Sequence, residues 1–318
     1  MIAAVIPAYK TKAQIENVLR NIGEEIHKIY VVDDGCPEET GRFVNENFSD
    51  QRIELIFLEV NQGVGAAVMA GYKRAVKEGY EIIVKIDSDG QMNPHLIKDF
   101  IDPILNKEAD YTKGNRFSSY RHLKDMPILR IFGNMALSII TKFSSGYWNI
   151  FDPTNGFTAI HRDIAKDILD ERVAKGYFFE SDMLYWLYIM RAKVVDIPMK
   201  AIYGNEKSSM NVIKEIIPFL YFNARNFFKR IGYTYFVRDF SIYSLALIAG
   251  FLLIIFGISH GAYHWNLSIL TGSYASAGTV MISALPIILG LQLLIYFFTF
   301  DFNNPPKTIM HDKLLGKN

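Results

Sequence analysis

Residues 85–91 read Lys85-Ile86-Asp87-Ser88-Asp89-Gly90-Gln91 and follow an apolar run. A strand there would deliver two carboxylates to its end with one residue between them. Carboxylates at i and i+2 can face one hard cation, which prefers oxygen ligands. Such a cation neutralises a nucleotide diphosphate as it leaves. Asp-x-Asp-Gly is also a common acidic turn, so the motif needs company. Asp33-Asp34-Gly35 ends another apolar run, with Asp33 placed to brace its own turn. Glu180-Ser181-Asp182 offers two more carboxylates. They suit the favourable end of a helix dipole. Gly63-Val64-Gly65 resembles the start of a dinucleotide fingerprint, but the third glycine position is Val68. The fingerprint fails, and the glycines read as a tight turn into a helix. Cys36, the single cysteine, sits in a turn-like Asp34-Gly35-Cys36-Pro37 with no histidine supplied by a motif.

The elements that must position these residues alternate. Short apolar runs occupy residues 2–6, 29–32, 53–58 and 82–86, each bounded by polar or turn residues. Helical spacing appears over 12–25, where Ile15, Val18, Leu19 and Ile22 share a face, and over 66–78. This order predicts an α/β domain with a mostly parallel sheet covered on both faces. Ligands of such sheets bind at the carboxyl ends of the strands, and the candidate residues follow Ile6, Val32 and Ile86. Residues 116–210 are less regular. They hold a helix-like run over 128–143, a loop through Asp152-Pro153-Thr154-Asn155-Gly156, and a second helix after Glu180.

The composition excludes some classes. The 318 residues carry a net charge of +1, with no basic excess to suggest nucleic acid. One cysteine allows no internal disulfide, which fits a cytosolic face. Residues 2–6 are too short for a signal-peptide core. From 241 to 300 there is no Asp, Glu, Lys or Arg. Residues 242–259 and 279–300 are each long enough to cross a hydrocarbon core of roughly 30 Å as helices, joined by a loop over 260–278. Lys229, Arg230 and Arg238 precede the pair; Lys307, Lys313 and Lys317 follow it. The positive-inside rule places both termini and the sheet domain in the cytoplasm. Residues 211–231 mix large apolar with basic residues, as in a segment lying in the membrane interface, with Pro218 expected to break or bend it. The domain reading is therefore 1–210 sheet domain, 211–240 juxtamembrane segment, 241–300 two membrane helices and 301–318 tail.

Val5-Ile6-Pro7-Ala8-Tyr9, Val31-Val32-Asp33-Asp34-Gly35, Asn61-Gln62-Gly63-Val64-Gly65, Asp87-Ser88-Asp89, Gly114-Asn115-Arg116-Phe117, Asp152-Pro153-Thr154-Asn155-Gly156-Phe157 and Glu180-Ser181-Asp182 occur in that order. Together they resemble the family-2 glycosyltransferases of GT-A fold. With the two apolar segments, the chain looks most like the polyprenyl- or dolichol-phosphate sugar synthase branch. The resemblance implies that Pro7 and Tyr9 line a base pocket and Asp34 hydrogen-bonds the base. It implies Asp87 on the ribose or metal, Asp89 as a metal ligand with Gln91 beside it, and Mg²⁺ or Mn²⁺ as cofactor. Arg116 would face phosphate. Lys207, in Tyr203-Gly204-Asn205-Glu206-Lys207-Ser208-Ser209, would belong to a mobile segment over the diphosphate. Glu180 and Asp182 stand where the family carries its acidic base. Val64 replaces a lysine frequent between these glycines, which weakens a phosphate role for that turn. The implied reaction is an inverting transfer from a UDP- or GDP-sugar to a polyprenyl phosphate. A transferase acting on a sugar hydroxyl and a non-catalytic membrane scaffold are the competing readings, and a homo-oligomer stays open.

Overall fold

The computed structural model describes residues 1–119, 128–200 and 212–315. These fall into two compact units, Met1–Phe228 with Pro305–Asn318, and Lys229–Asn304.

The first unit is built on seven strands: β1 (Ile2–Ala8), β2 (Lys28–Asp34), β3 (Ile53–Leu58), β4 (Ile82–Lys85), β5 (Tyr111–Asn115), β6 (Thr158–His161) and β7 (Val194–Pro198). Their order is β3-β2-β1-β4-β6-β5-β7. Only β6 runs antiparallel to its neighbours. The four expected strands are present. β5, β6 and β7 were not expected, because β5 reads Tyr-Thr-Lys-Gly-Asn and carries no apolar run.

Helices α1 (Ile15–Arg20), α2 (Thr40–Asn47), α3 (Val64–Lys77) and α4 (Ile97–Leu105) cover the sheet with α5 (Ile128–Ser145), α6 (Arg162–Leu169) and α7 (Phe179–Ile189). The pleat sends alternate residues to opposite faces. Ala4 and Ile6 of β1 therefore pack in one apolar cluster, while Ala3 and Val5 pack in the other. α3 buries Val68, Tyr72 and Ala75 at helical spacing. It approaches so closely that a Cβ at Gly71 would collide with Val5. α1 is shorter than its periodic pattern over 12–25, which includes Gly23 beyond its end.

Two helices invert the usual amphipathic rule. α5 buries Ser138, Thr141, Ser144 and Ser145 and exposes Phe132, Met135 and Ile139. α8 (Val212–Gly232) buries Asn223 and Asn226 and exposes Ile217, Leu220, Tyr221 and Phe228. Part of these buried polar faces bonds to the protein: Ser144 donates to Asn223, and Asn226 donates to Asp182 at 2.7 Å, while the Ser138 and Thr141 hydroxyls make no hydrogen bond among the described residues. α8 runs through Pro218 without ending, so the expected break is absent.

The tail returns to the first unit. α11 (Met310–Leu315) follows two long apolar helices and docks on the sheet domain. The Asp110 carboxylate accepts the backbone N–H of Met310 at 3.0 Å and of His311 at 2.9 Å, and meets His311 Nδ1 at 2.7 Å. The His311 ring stacks on His161 at 4.1 Å. Burial lowers the His161 pKa to about 4, keeping that ring neutral.

The second unit holds α9 (Ile242–Thr271) and α10 (Ala277–Asn303), both long and apolar enough to cross a membrane. α9 continues twelve residues beyond the expected end at 259, so the expected loop over 260–278 shrinks to residues 272–276. Apolar and aromatic residues such as Tyr263, Trp265, Leu267 and Ile269 extend the helical run. The two helices pack at small residues: a Cβ on Gly250 would stand 3.0 Å from the Gly290 carbonyl, and one on Gly290 would stand 2.7 Å from the Gly250 carbonyl. At one end Arg230 grips Asp301 through two hydrogen bonds of 2.6 and 2.9 Å, and the Tyr235 hydroxyl donates to Asp301 at 2.7 Å. Both charged side chains are fully buried.

Candidate active site

The topology brings the motif residues to one edge of the sheet. β1, β2 and β4 are parallel neighbours, so Pro7, Asp34 and Lys85 lie at adjacent carboxyl ends. β5 runs the same way as β4, because both pair antiparallel with β6. Arg116 follows β5, and the loop over 152–157 enters the antiparallel β6 from that same edge.

At the end of β4, Ser88 turns inward. Its hydroxyl donates to the Pro7 carbonyl at 2.7 Å and accepts from Thr11 Oγ1 at 2.9 Å. This stitches β4 to β1 and leaves Asp87 and Asp89 half-buried on either side. Asp89 Oδ1 accepts the Gln91 backbone N–H at 3.0 Å. The oxygen-rich set of Asp87, Asp89 and the Gln91 amide suits a hard cation. Among the described residues there is no cluster of three or more His, Cys, Asp or Glu side chains for a metal. A cation held by these residues would take phosphate oxygens and water as its remaining ligands.

Lys85 was not expected in the site. It is fully buried, with Nζ 2.8 Å from Asp87 Oδ1 and 2.9 Å from Glu180 Oε1. Burial opposes its charge, but the two carboxylates outweigh that and raise its pKa. Its position two residues before Asp87, and so on the same side of the strand, was the available signal. The backbone closes over this pair at Gly156, where a Cβ would collide with Asp87 Oδ2 and Lys85 Nζ.

The other expected residues are held in place. Asp34 is buried and accepts the backbone N–H groups of Gln62 and Gly63, each at 2.8 Å. Asp33 braces its turn as expected, accepting from Cys36 N at 2.7 Å and Gly41 N at 2.6 Å. Cys36 lies in that turn, its Sγ accepting from Lys10 N at 3.1 Å. The Tyr9 ring remains 40% exposed, with the Lys10 ammonium 5.4 Å from its centre. Arg116 forks onto the buried Asp152 through Nε at 2.7 Å and Nη2 at 2.8 Å. Burial would raise the Asp152 pKa, yet Arg116 lowers it. Lys207 lies outside the described residues.

Glu180 and Asp182 share the first turn of α7 but face different partners. Glu180 meets Lys85. Asp182 is buried and accepts the Ala174 N–H at 2.8 Å and the Asn226 amide at 2.7 Å. The glycine turn is likewise occupied. Gly65 N–H donates to the Lys175 carbonyl at 2.7 Å, and Gly63 and Gly65 leave no room for a Cβ beside residues 174–176. The turn packs protein against protein, in keeping with the missing lysine at Val64.

Behind Arg116, Asp196 accepts from Asn115 Nδ2 at 2.7 Å and Phe151 N at 3.2 Å, while its other oxygen is buried without a hydrogen bond. Burial raises its pKa to about 6. Lys113 is buried nearby, donating to the Asn155 carbonyl, and burial lowers its pKa to about 8.

The family model for glycosyl transferase family 2 matches residues 3–169, which contain the Asp87–Gln91 segment and the Arg116–Asp152 pair. The chain belongs to glycosyl transferase family 2. This family-2 enzyme is 31% identical over 217 residues to a UDP-N-acetylglucosamine–dolichyl-phosphate N-acetylglucosaminyltransferase of Methanococcus voltae, covering 64% of this chain and 86% of the relative. It is 27% identical to a polyprenol monophosphomannose synthase of Mycolicibacterium smegmatis, covering 61% and 75%. Among solved structures, glucosyl-3-phosphoglycerate synthase from Mycobacterium tuberculosis, crystallised with Mn²⁺ and UDP, superposes with a TM-score of 0.55 at 18% identity, covering 73% of this chain and 80% of the synthase. That likeness establishes the shared GT-A fold of this glycosyltransferase.

Proposed function

We propose that this glycosyltransferase moves a sugar from a UDP- or GDP-sugar to a polyprenyl phosphate at the cytoplasmic face of a membrane, with inversion at the anomeric carbon. The observation that carries the choice of acceptor is the engagement of both candidate bases. Glu180 is paired with the buried Lys85, and Asp182 accepts two hydrogen bonds inside the protein. A sugar hydroxyl would need one of them to take its proton. A phosphate monoester, whose second pKa is about 6, attacks already ionised. Two relatives whose names include dolichyl phosphate and a polyprenol phosphosugar support the same class.

In this reading a phosphate oxygen of the acceptor forms a bond to the anomeric carbon as the bond to the nucleoside diphosphate breaks. Asp87, Asp89 and Gln91 would hold Mg²⁺ or Mn²⁺. A divalent cation there neutralises charge on the departing diphosphate. Lys85 fixes the Asp87 carboxylate, and Gly156 keeps its surroundings narrow. Tyr9 offers a ring face to the base beside Pro7. Asp34 shapes the Gln62–Gly63 wall of that pocket. Arg116, clamped by Asp152, presents a fixed guanidinium rather than a swinging one.

The membrane reading rests on three features. α9 and α10 have the length and composition of spans. α5 and α8 expose apolar stripes that fit the interface. The tail after α10 docks on the sheet domain, which requires an even number of crossings.

Calorimetry of UDP and GDP binding with and without Mg²⁺ or Mn²⁺ tests the donor half. Metal-dependent binding that drops at least about tenfold in Asp89→Asn, roughly 1.4 kcal/mol, supports it. Absence of any nucleotide binding would favour the scaffold reading.

A further inference from the structure

A cavity of about 240 Å³ lies in the first unit, between the loop over 172–178, the first turn of α7 and helix α8. Its walls carry Arg172, Lys175 and Arg225 as well as Phe178, Phe219 and Phe222. Among the described residues, Asp182 is the one acidic side chain at its lining. That carboxylate is already satisfied by the Ala174 N–H and the Asn226 amide, with Arg225 Nη2 at 3.5 Å. Three cations around one internally bonded carboxylate leave a positive excess. Arg172 and Lys175 have no ion-pair partner among the described residues. Arg225 lies 5.0 Å over the Phe222 ring, and Phe222 stacks with Phe178 at 5.3 Å. Arg225 Nε and Nη2 donate to Asn226 Oδ1 at 3.2 and 3.0 Å, which with the aromatic rings holds the guanidinium in place and leaves Nη1 without a hydrogen bond among the described residues.

The helix that supplies Phe219, Phe222 and Arg225 also exposes Ile217, Leu220 and Tyr221 beside them. A ligand matching these features has an anionic head for the cations and an apolar chain for the neighbouring stripe. We infer that this cavity binds the phosphate headgroup of a membrane lipid, with the hydrocarbon chain leaving along the exposed face of α8. Two sources share that chemistry: the polyprenyl phosphate acceptor, and an anionic phospholipid of the surrounding membrane. The first deepens the proposed function and rests on it; the second does not.

α7 connects the cavity to the site. Glu180 meets Lys85 beside Asp87, while Asp182, half a turn later, forms part of the cavity lining. A phosphate on Arg225 would therefore sit beside the α7 turn that orders the carboxylate cluster, with Asp182 between them.

The test measures binding without nucleotide-sugar, so that it stands apart from turnover. The full chain in neutral detergent is titrated calorimetrically with decyl phosphate, dioctanoyl phosphatidylglycerol and the uncharged decyl maltoside. Decyl phosphate or the phosphatidylglycerol should bind and the maltoside should not. Each of Arg172→Gln, Lys175→Gln and Arg225→Gln should weaken binding about tenfold or more, as expected for loss of one charge-assisted hydrogen bond. Preference for the phosphate monoester assigns the cavity to the acceptor; equal or tighter binding of phosphatidylglycerol assigns it to bulk lipid. Should Arg225→Gln unfold, the exposed Lys175→Glu serves in its place and should lose at least tenfold. Unchanged affinity in folded Lys175→Glu, or equal binding of the maltoside, overturns the inference. Failure of sugar transfer with lipid binding intact would count against the proposed reaction and leave the cavity's assignment standing.

Discussion

Lys85 carries more of the site than its place in a strand suggests. It joins β4, α7 and the loop over 152–157 through Asp87, Glu180 and the close backbone of Gly156. Lys85→Met removes one partner of a buried ion cluster and should cost about 3–5 kcal/mol, read by denaturant unfolding in detergent. Adding Glu180→Gln should recover part of that loss; no recovery would show that the Glu180 pair is not the source. Gly156→Ala should lower turnover by about a hundredfold, the scale of a 1 Å misplacement in a site, with little change in melting temperature. Asp196 gives a pH signature. Its folded pKa of about 6 exceeds the ordinary value of 3.8, so the folded state keeps a proton that the unfolded state has released. Stability is thus lost as pH rises from about 4 to 6. Asp196→Asn should be more stable than the parent above pH 6, by up to about 3 kcal/mol, with the difference vanishing near pH 4. A pH-independent difference would contradict this. Asp87, Asp89 and Asp33 stand out in the sequence because each comes just after an apolar run; the structure places them at the carboxyl ends of β4 and β2. The sequence did not show Lys85, because the nearby Asp87 alone does not mark a strand lysine as buried; its second carboxylate, Glu180, is brought to it from 95 positions away.

At the scale of elements, periodicity located β1 to β4 and α3 because their apolar residues face the core. It missed β5, whose buried Lys113, Gly114 and Asn115 serve the site rather than the core. α5 and α8 were visible as apolar helices, but the sequence could not say which face was hidden. Their buried faces are rich in Ser, Thr and Asn, although α8 also buries Phe219 and Ile231, and apolar outer faces of this kind would suit a lipid interface. Ile139→Lys or Ile217→Lys should therefore lower vesicle binding of the chain without lowering its melting temperature. A drop in stability instead would mean that these stripes are packed against protein. The Arg230–Asp301 clamp makes a separate prediction. Arg230→Met alone should destabilise the unit by about 3–5 kcal/mol, and Arg230→Met with Asp301→Met should restore most of it.

For the whole molecule, the apolar helices were legible from length and charge alone, while the return of the tail to the sheet domain was not. That docking uses backbone N–H groups on Asp110 and a His161–His311 stack, neither of which leaves a pattern in the sequence. It predicts that the loop over 272–276 lies on the opposite side of the membrane from the sheet domain. In a Cys36→Ser background, a membrane-impermeant thiol reagent added outside intact cells should label Tyr274→Cys and leave Glu38→Cys unlabelled until the cells are opened. The central claim is transfer of a sugar to a lipid phosphate, and the direct measurement is a radiolabelled donor panel. Purified chain, Mg²⁺ or Mn²⁺ and either undecaprenyl or dolichyl phosphate are incubated with UDP- and GDP-sugars, and the organic phase is counted. The account predicts a mild-acid-labile lipid-linked sugar with at least one donor, abolished in Asp89→Asn and retained at a measurable rate in Asp182→Asn. Active transfer to a sugar hydroxyl, with no lipid phosphate product from any donor, would contradict it.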